Sequence, residues 1–467
     1  MSSHSREKAQ QHGAGAPTIL RQPTCSFLTR FLLALPLLVY PACDDGNFVQ
    51  PNLSNADSAI VRQTVFGADE DWSSAQFVAA NSNDNVYFAG LHNLEDVVGR
   101  IANPSGIDWA LTPAIEFLGL RVLPASFGAS SEVVMAVGAK YDARDATIIG
   151  YDVSGNVLTE NSFGYPGHKT WLSDIVMVSG TPTESRFVAA GTARRSGVRY
   201  PYLCDVTLSS TGDIVTSRER IDLDYPRAGV WMLVWNGDAD TVLFFGAVDR
   251  FDADDELAGG EVFCFDDSLT VAWTQSVKPA GAGWATTEGI DYFDGSVYTA
   301  GRVSVFKDDG WRRAGMVASL SETGDVNWTK SVILSAFTDR YWGCKVDDGA
   351  LYAVGEYSSV EQRSTTHVFG YGLLTKFELP TGNIIYHKSF GDPDYSSHFR
   401  AIDVNGTRAF CGGVTERYLK DYWHKGWFVE VDLGDQQTQL APPAQLRSSS
   451  QASLKPVPLG RRFGRER

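Results

Sequence analysis

Asn85-Val-Tyr-Phe-Ala-Gly90 is a short apolar run that ends on glycine, and relatives of it return as far as the C-terminal end of the chain. They read Val134-Met-Ala-Val-Gly138, Phe187-Val-Ala-Ala-Gly191, Val242-Leu-Phe-Phe-Gly246, Val297-Tyr-Thr-Ala-Gly301, Leu351-Tyr-Ala-Val-Gly355 and Ala409-Phe-Cys-Gly-Gly413. Successive glycines stand 48, 53, 55, 55, 54 and 58 residues apart, a period that marks a repeat array of seven copies.

Trp342 to Gly391 is the fullest copy. Gly343 to Asp347 is short and partly apolar, Asp348-Gly349 is a type I′ hairpin signal, and Leu351 to Gly355 is rich in strand formers. After a polar loop, Tyr371 to Leu379 reads as a third strand, Pro380-Thr-Gly-Asn383 as a turn, and Ile384 to Phe390 as a fourth strand. Four strands per repeat and no helical period describe one blade of a β-propeller. Closure follows from the two ends of the array. The last copy stops after its third strand, Trp427 to Leu433, while the first is preceded by a surplus strand, Ile60-Val-Arg-Gln-Thr-Val-Phe-Gly67. Pairing the two removes two open sheet edges and ties the ring shut. The expected fold is therefore an all-β, seven-bladed propeller over residues 59–435, with the N-terminal strand completing the last blade.

Ala75 to Gly90 resembles the seven-bladed propeller repeats of bacterial envelope proteins. Ser319-Leu-Ser-Glu-Thr-Gly-Asp-Val-Asn-Trp328 is similar to the Thr-Gly…Trp docking motif of quinoprotein-like propellers. The Trp recurs at Trp109 and Trp273, is Tyr386 in the sixth copy, and is absent elsewhere. The resemblance covers roughly residues 58 to 434 and implies fold rather than activity.

The flanks carry an address. Basic Arg21 and Arg30 precede the apolar run Phe31 to Ala42, too short to span a bilayer and suited to a signal peptide over residues 1–42. Leu38-Val-Tyr-Pro-Ala-Cys43 resembles a bacterial lipobox, which implies lipidation at Cys43. Tyr40 stands where Leu is usual, and the leader is long; ordinary secretory cleavage nearby is the alternative. Residues 43–58 read as a flexible tether and 436–467 as a disordered basic tail. Taking the +3 of residues 1–42 and the +5 of the tail from the net −16 leaves −24 on the body. So acidic a surface repels phosphate backbones, which argues against nucleic acid as a partner. Cys204, Cys264, Cys344 and Cys411 fall one per repeat in apolar strands, as buried thiols, with a bridge between Cys344 and Cys411 the alternative.

Candidate chemistry gathers on the second-to-third connections, which are long and differ in every copy. They carry Arg194, Arg195 and Arg199 within 192–200; Trp311, Arg312 and Arg313; Tyr357 and His367; and Tyr418, Tyr422, Trp423 and His424. Aromatic and Arg side chains are what binding hot spots use, the competing reading being rings that pack on one another. Asp249, Asp252, Asp254, Asp255 and Glu256 offer oxygen ligands for Ca2+ without EF-hand spacing, so a solvated acidic loop competes. The aromatics opening each blade, Trp72, Trp171, Trp231, Trp284, Trp342 and Phe399, read as inter-blade core. No helix metal motif, nucleophile elbow, phosphate loop or dinucleotide fingerprint occurs. The expectation is a monomeric, lipid-anchored envelope module that binds a protein or glycan through this face and needs no cofactor. A glycan hydrolase or lyase at the channel mouth and an outer-membrane assembly scaffold are the alternatives, with a quinone-dependent dehydrogenase a more distant one.

Overall fold

A computed structural model describes residues 48–49, 54–55, 59–66, 73–81, 85–92, 95–101, 107–113, 115–127, 130–141, 145–181, 184–238, 240–251, 257–307, 310–334, 339–358, 370–391, 396–418 and 423–434. Seven small antiparallel sheets account for them, and no α-helix occurs among them. Blades 1 to 6 are continuous in sequence, each with four strands, over 73–111, 115–163, 169–221, 228–276, 285–332 and 339–390. Blade 7 takes three strands from 397–432 and its fourth, Ile60–Phe66, from the other end of the chain.

The first strands of consecutive blades, Ser73–Ala80, Ile115–Phe127, Lys169–Gly180, Ala228–Trp235, Ala285–Phe293, Asp339–Asp347 and Ser397–Asn405, pack on one another all the way round. They are the inner wall of the ring. Seven apolar clusters lie between them, each built from two neighbouring blades, and the last joins Phe410 and Phe428 of blade 7 to Val86 and Phe88 of blade 1. Burying each such side chain stabilises the fold by about 1.5–3 kcal/mol, so the stability of the ring resides in the interfaces between blades.

The closing strand is in register from Ile60↔Val431 to Phe66↔Gly426. Arg62 Nε lies 2.8 Å from Glu430 Oε2 with both side chains nearly sealed, and Arg408 reaches the same carboxylate. Slipping the strand would strand a buried charge, so the pair fixes register more than it adds stability. Upstream, Phe48–Val49 runs parallel to Ser331–Val332 at the edge of blade 5, and Ser54–Asn55 parallel to Lys388–Ser389 at the edge of blade 6.

The repeated glycine has a steric cause. Each inner strand carries a β-bulge, between Ala75 and Phe77, Leu172 and Asp174, Thr287 and Gly289, Tyr341 and Gly343, and Phe399 and Ala401 among others. The bulge presses a carbonyl onto the second strand. A Cβ at Gly90, Gly191, Gly301, Gly355 or Gly413 would overlap the carbonyl oxygen of Ser74, Trp171, Thr286, Arg340 or His398 respectively. Gly246 of blade 4 differs, its nearest neighbour being Val230 Cγ1 at 3.0 Å.

The recurring Trp docks blade on blade. Trp109, Trp273 and Trp328 donate their indole N–H to Val153, Glu322 and Leu379 carbonyls in the next blade, at 3.1, 2.9 and 2.9 Å. Each ring lies against the glycine of the next blade's outer turn, Gly155, Gly324 or Gly382, all at positive φ. Asp294-Gly295 and Asp348-Gly349 have positive φ at both residues, as a type I′ turn requires. Cys204, Cys264, Cys344 and Cys411 are free and buried in four different inter-blade clusters, so the bridge between Cys344 and Cys411 does not form.

Candidate functional site: the channel mouth on blades 4 to 7

Antiparallel order puts the second-to-third hairpins and the inter-blade connections on one face of the ring, with the tight turns on the other. In their described residues, the long connections of blades 3, 5 and 7 on that face are hairpin extensions. In blade 3, Arg194 pairs with Arg199 and Arg195 with Val198 around a Ser196-Gly197 turn at φ 50° and 86°. In blade 5, Ser304 pairs with Arg313, Val305 with Arg312 and Phe306 with Trp311. Tyr418 pairs with Trp423 in blade 7.

Arg195 and Arg313 are exposed, Arg194, Arg199, Arg312 and Tyr357 half-buried. Tyr357 stacks on Tyr371 at 5.1 Å, and burial pushes its phenol up to about 12, so it is a packed ring. His367, Tyr422, Cys43, Asp252, Asp254, Asp255 and Glu256 lie outside the described residues, as do the side chains of Trp311, Tyr418, Trp423 and His424. Of the expected residues whose side chains are described, Arg199 reaches toward the inner strands: its guanidinium lies 4.3 Å from the centre of the Phe251 ring and acts on Asp249.

A denser constellation sits deeper, where the inner strands of blades 4 to 7 reach this face. Tyr341 and Phe399 are sealed in the inter-blade core, so their neighbours Arg340, Trp342, His398 and Arg400 turn to the other side, toward the ring axis. Trp342 and Arg400 occupy the bulges, which hold Trp231 in blade 4 and Glu288 in blade 5. Trp342 lies under two guanidinium groups, with Arg340 at 3.1 Å and Arg400 at 5.2 Å from its ring centre, and Arg302 covers Trp284 at 5.2 Å. Cation–π contacts of this kind contribute about 0.5–2 kcal/mol each and hold the guanidinium planes.

Ion pairs and hydrogen bonds link the same groups. Arg340 Nε stands 3.3 Å from Glu356, Arg302 Nε 3.8 Å from Glu288, and His398 Nδ1 3.6 Å from Glu356. Arg400 Nε donates to His398 Nε2 at 3.2 Å, so that nitrogen is the acceptor and the imidazole proton faces Glu356. Trp342 Nε1, Arg302 Nε and Arg340 Nε are enclosed with no hydrogen-bond partner among the described residues. Burial lowers Arg340 to about 10 and Arg400 in the same direction. Burial first, then the Glu288 carboxylate, pushes the Asp249 carboxyl well up, against the pull of Arg302 and Arg199. Among the described residues no group of three or more metal-ligating side chains could hold an ion.

Below the mouth, inner-strand carboxylates link the blades. Asp174 accepts the Leu233 N–H of blade 4, Asp291 the Val346 N–H of blade 6, and Asp403 the Ala80 N–H of blade 1, at 2.9, 2.7 and 2.8 Å. Arg121 grips Asp174 with two hydrogen bonds of 2.9 and 2.6 Å, and Lys345 Nζ lies 3.5 Å from Asp291.

The mouth residues sit where sequence reading assigned core. Phe399 is core, fully buried and stacked on Trp427 at 4.7 Å, whereas Trp231 and Trp342 are half-buried bulge residues. The legible signal was a charged or Trp residue wedged between an aromatic residue and a small one, as in Tyr341-Trp342-Gly343 and Phe399-Arg400-Ala401.

No family model matches the chain, and no curated protein does. Among solved structures it is similar to a streptogramin B lyase, with 10% identity and TM-score 0.45 over 79% of this chain and 97% of that one. Virginiamycin B lyase from Staphylococcus aureus gives 8% identity and TM-score 0.44 over 79% and 99%, and Drosophila semaphorin 1b gives 9% and 0.40 over 81% and 88%. At these scores the likenesses say nothing of the chemistry of this chain.

Proposed function

We propose that the chain is a binding module of the bacterial envelope, lipid-anchored at Cys43, that takes a glycan or a protein through the channel mouth on blades 4 to 7. The observation that carries this reading is the Arg340–Trp342–Arg400 stack with Glu356 and His398 fixed around it. Planar donors, aromatic surface and carboxylates held in place by one another are prepared to meet a polar ligand without reordering. The address rests on the lipobox-like Leu38 to Cys43 and the acidic body.

Cross-linking in cells and affinity capture with the native chain, set against Trp342→Ala with Arg400→Gln, test the reading. A partner held by the native chain and lost in the double variant, at unchanged melting, supports it. Equal capture by both sinks the mouth as the binding surface.

A second reading, glycan hydrolysis or elimination at the mouth, is favoured by one observation. Asp249 is held toward its protonated form beside Glu288, and two unlike carboxyl groups are what an acid–base pair requires. Turnover of an oligosaccharide by the native chain, abolished in Asp249→Asn, would establish it; unchanged oligosaccharide after prolonged incubation would end it.

A further inference from the structure

We infer that the ligand of the mouth is an acidic saccharide, whose carboxylate seats on Arg400 while its hydroxyls meet Glu288 and Glu356. The inference rests on the binding reading above and names the class of ligand.

Charge bookkeeping at the mouth supplies the first argument. Glu288 is engaged by Arg302 and Glu356 by Arg340, while Arg250 stands 3.9 Å from Glu261. Arg400 has no carboxylate within ion-pair distance among the described residues. Its Nε is used on His398, its face lies on Trp342, and its two terminal nitrogens have no hydrogen-bond partner among them. Among the described residues of the mouth, Arg400 is thus the cation left without a carboxylate.

Geometry supplies the second. A guanidinium pinned at Nε and on one face presents its remaining edge as a fork, the shape that binds a carboxylate through two parallel hydrogen bonds. Glu288 and Glu356 nearby set an upper limit on the incoming charge: a single carboxylate matches Arg400, whereas a doubly charged phosphate would meet both carboxylates at short range. The Glu288 and Glu356 carboxylates, hydrogen-bond acceptors held close by, suit a ligand rich in hydroxyl groups. A uronic acid residue carries both features.

Isothermal titration of the full-length native chain with short oligogalacturonates and alginate oligomers, and with fully methyl-esterified oligogalacturonates, tests the inference. Acidic oligomers are expected to bind at least about 30-fold more tightly than the esters, because the ester removes the charge and keeps the sugar. Arg400→Gln is expected to erase that preference and Arg400→Lys to keep part of it, with melting of each variant checked against the native chain. Equal affinity for acid and ester overturns the inference while leaving the module reading intact. Binding of inorganic phosphate or sulfate as tight as that of the oligomers overturns it as well, since the site would then take any anion. No binding of any acidic oligomer, with a protein captured in the cross-linking experiment, overturns the saccharide and keeps the module; no binding and no capture removes both.

Discussion

His387 offers a test of how tightly blade 6 is sealed. It lies in the strand Ile384–Phe390, only 2% exposed, with Nδ1 3.0 Å from Thr375 Oγ1, itself 2.9 Å from the Tyr341 hydroxyl. Burial disfavours the imidazolium and lowers the group from 6.5 to about 4. A base with a depressed folded pKa contributes stability that is fully present above 6.5, fades as the pH falls, and is gone below about 4. The displacement of about 2.5 units corresponds to about 3 kcal/mol, of which about 2 kcal/mol is lost between pH 7 and pH 5. For a ring of this size that is about 2–3 °C in melting temperature. His387→Gln removes the titration, so the melting gap between native chain and variant is expected to narrow by that amount from pH 7 to pH 5. Melting curves that shift in parallel would refute the assignment, because His387 would then be free to protonate in the folded ring.

Further outcomes follow from the packing. Gly355→Ala drives a methyl group into the Arg340 carbonyl and is expected to destabilise the ring by more than about 2 kcal/mol, while Gly246→Ala costs clearly less; chemical denaturation of the two compares them directly. Deleting residues 60–66 strips blade 7 of its fourth strand and leaves Glu430 buried without Arg62, so early melting and rapid proteolysis near residues 423–434 are expected. Trp328→Ala removes the indole bond to Leu379 and the cover over Gly382, with an expected loss of about 2–4 kcal/mol read by denaturant midpoint, and no loss of binding at the mouth, which faces the other side.

The ring was legible in the sequence because its constraints are local and repeated. A glycine that admits no Cβ, a turn that needs positive φ and a Trp that needs the next turn each leave a mark at a fixed spacing. The mouth left a weaker mark. The aromatics that open the blades read as one set, yet Phe399 stands just before its bulge, as Tyr341 does, whereas Trp342 and Trp231 occupy theirs. Recurrence of an aromatic near the start of each blade does not resolve that offset of one residue, and one residue along a strand changes the side. The long connections were misjudged for a related reason: Arg194, Arg195 and Arg199 are polar on both faces of a hairpin that stands clear of the sheet, so no apolar alternation marks them as strand.

The closing strand also sets a timetable. Ile60–Phe66 is made early, yet its partner strand, Trp423–Asp432, is made more than 350 residues later. At about 5–20 residues per second, it waits roughly 20–70 s with its backbone groups unpaired. Blades 1 to 6 can form as they emerge, each against the one before, but the last blade is a product of both ends and exists only in a finished chain. A chain cut short anywhere before residue 423 therefore keeps an open, adhesive edge. Integrity of the whole message is thereby checked by the fold itself, and an incomplete product stays recognisable to the proteases and chaperones that search for such edges.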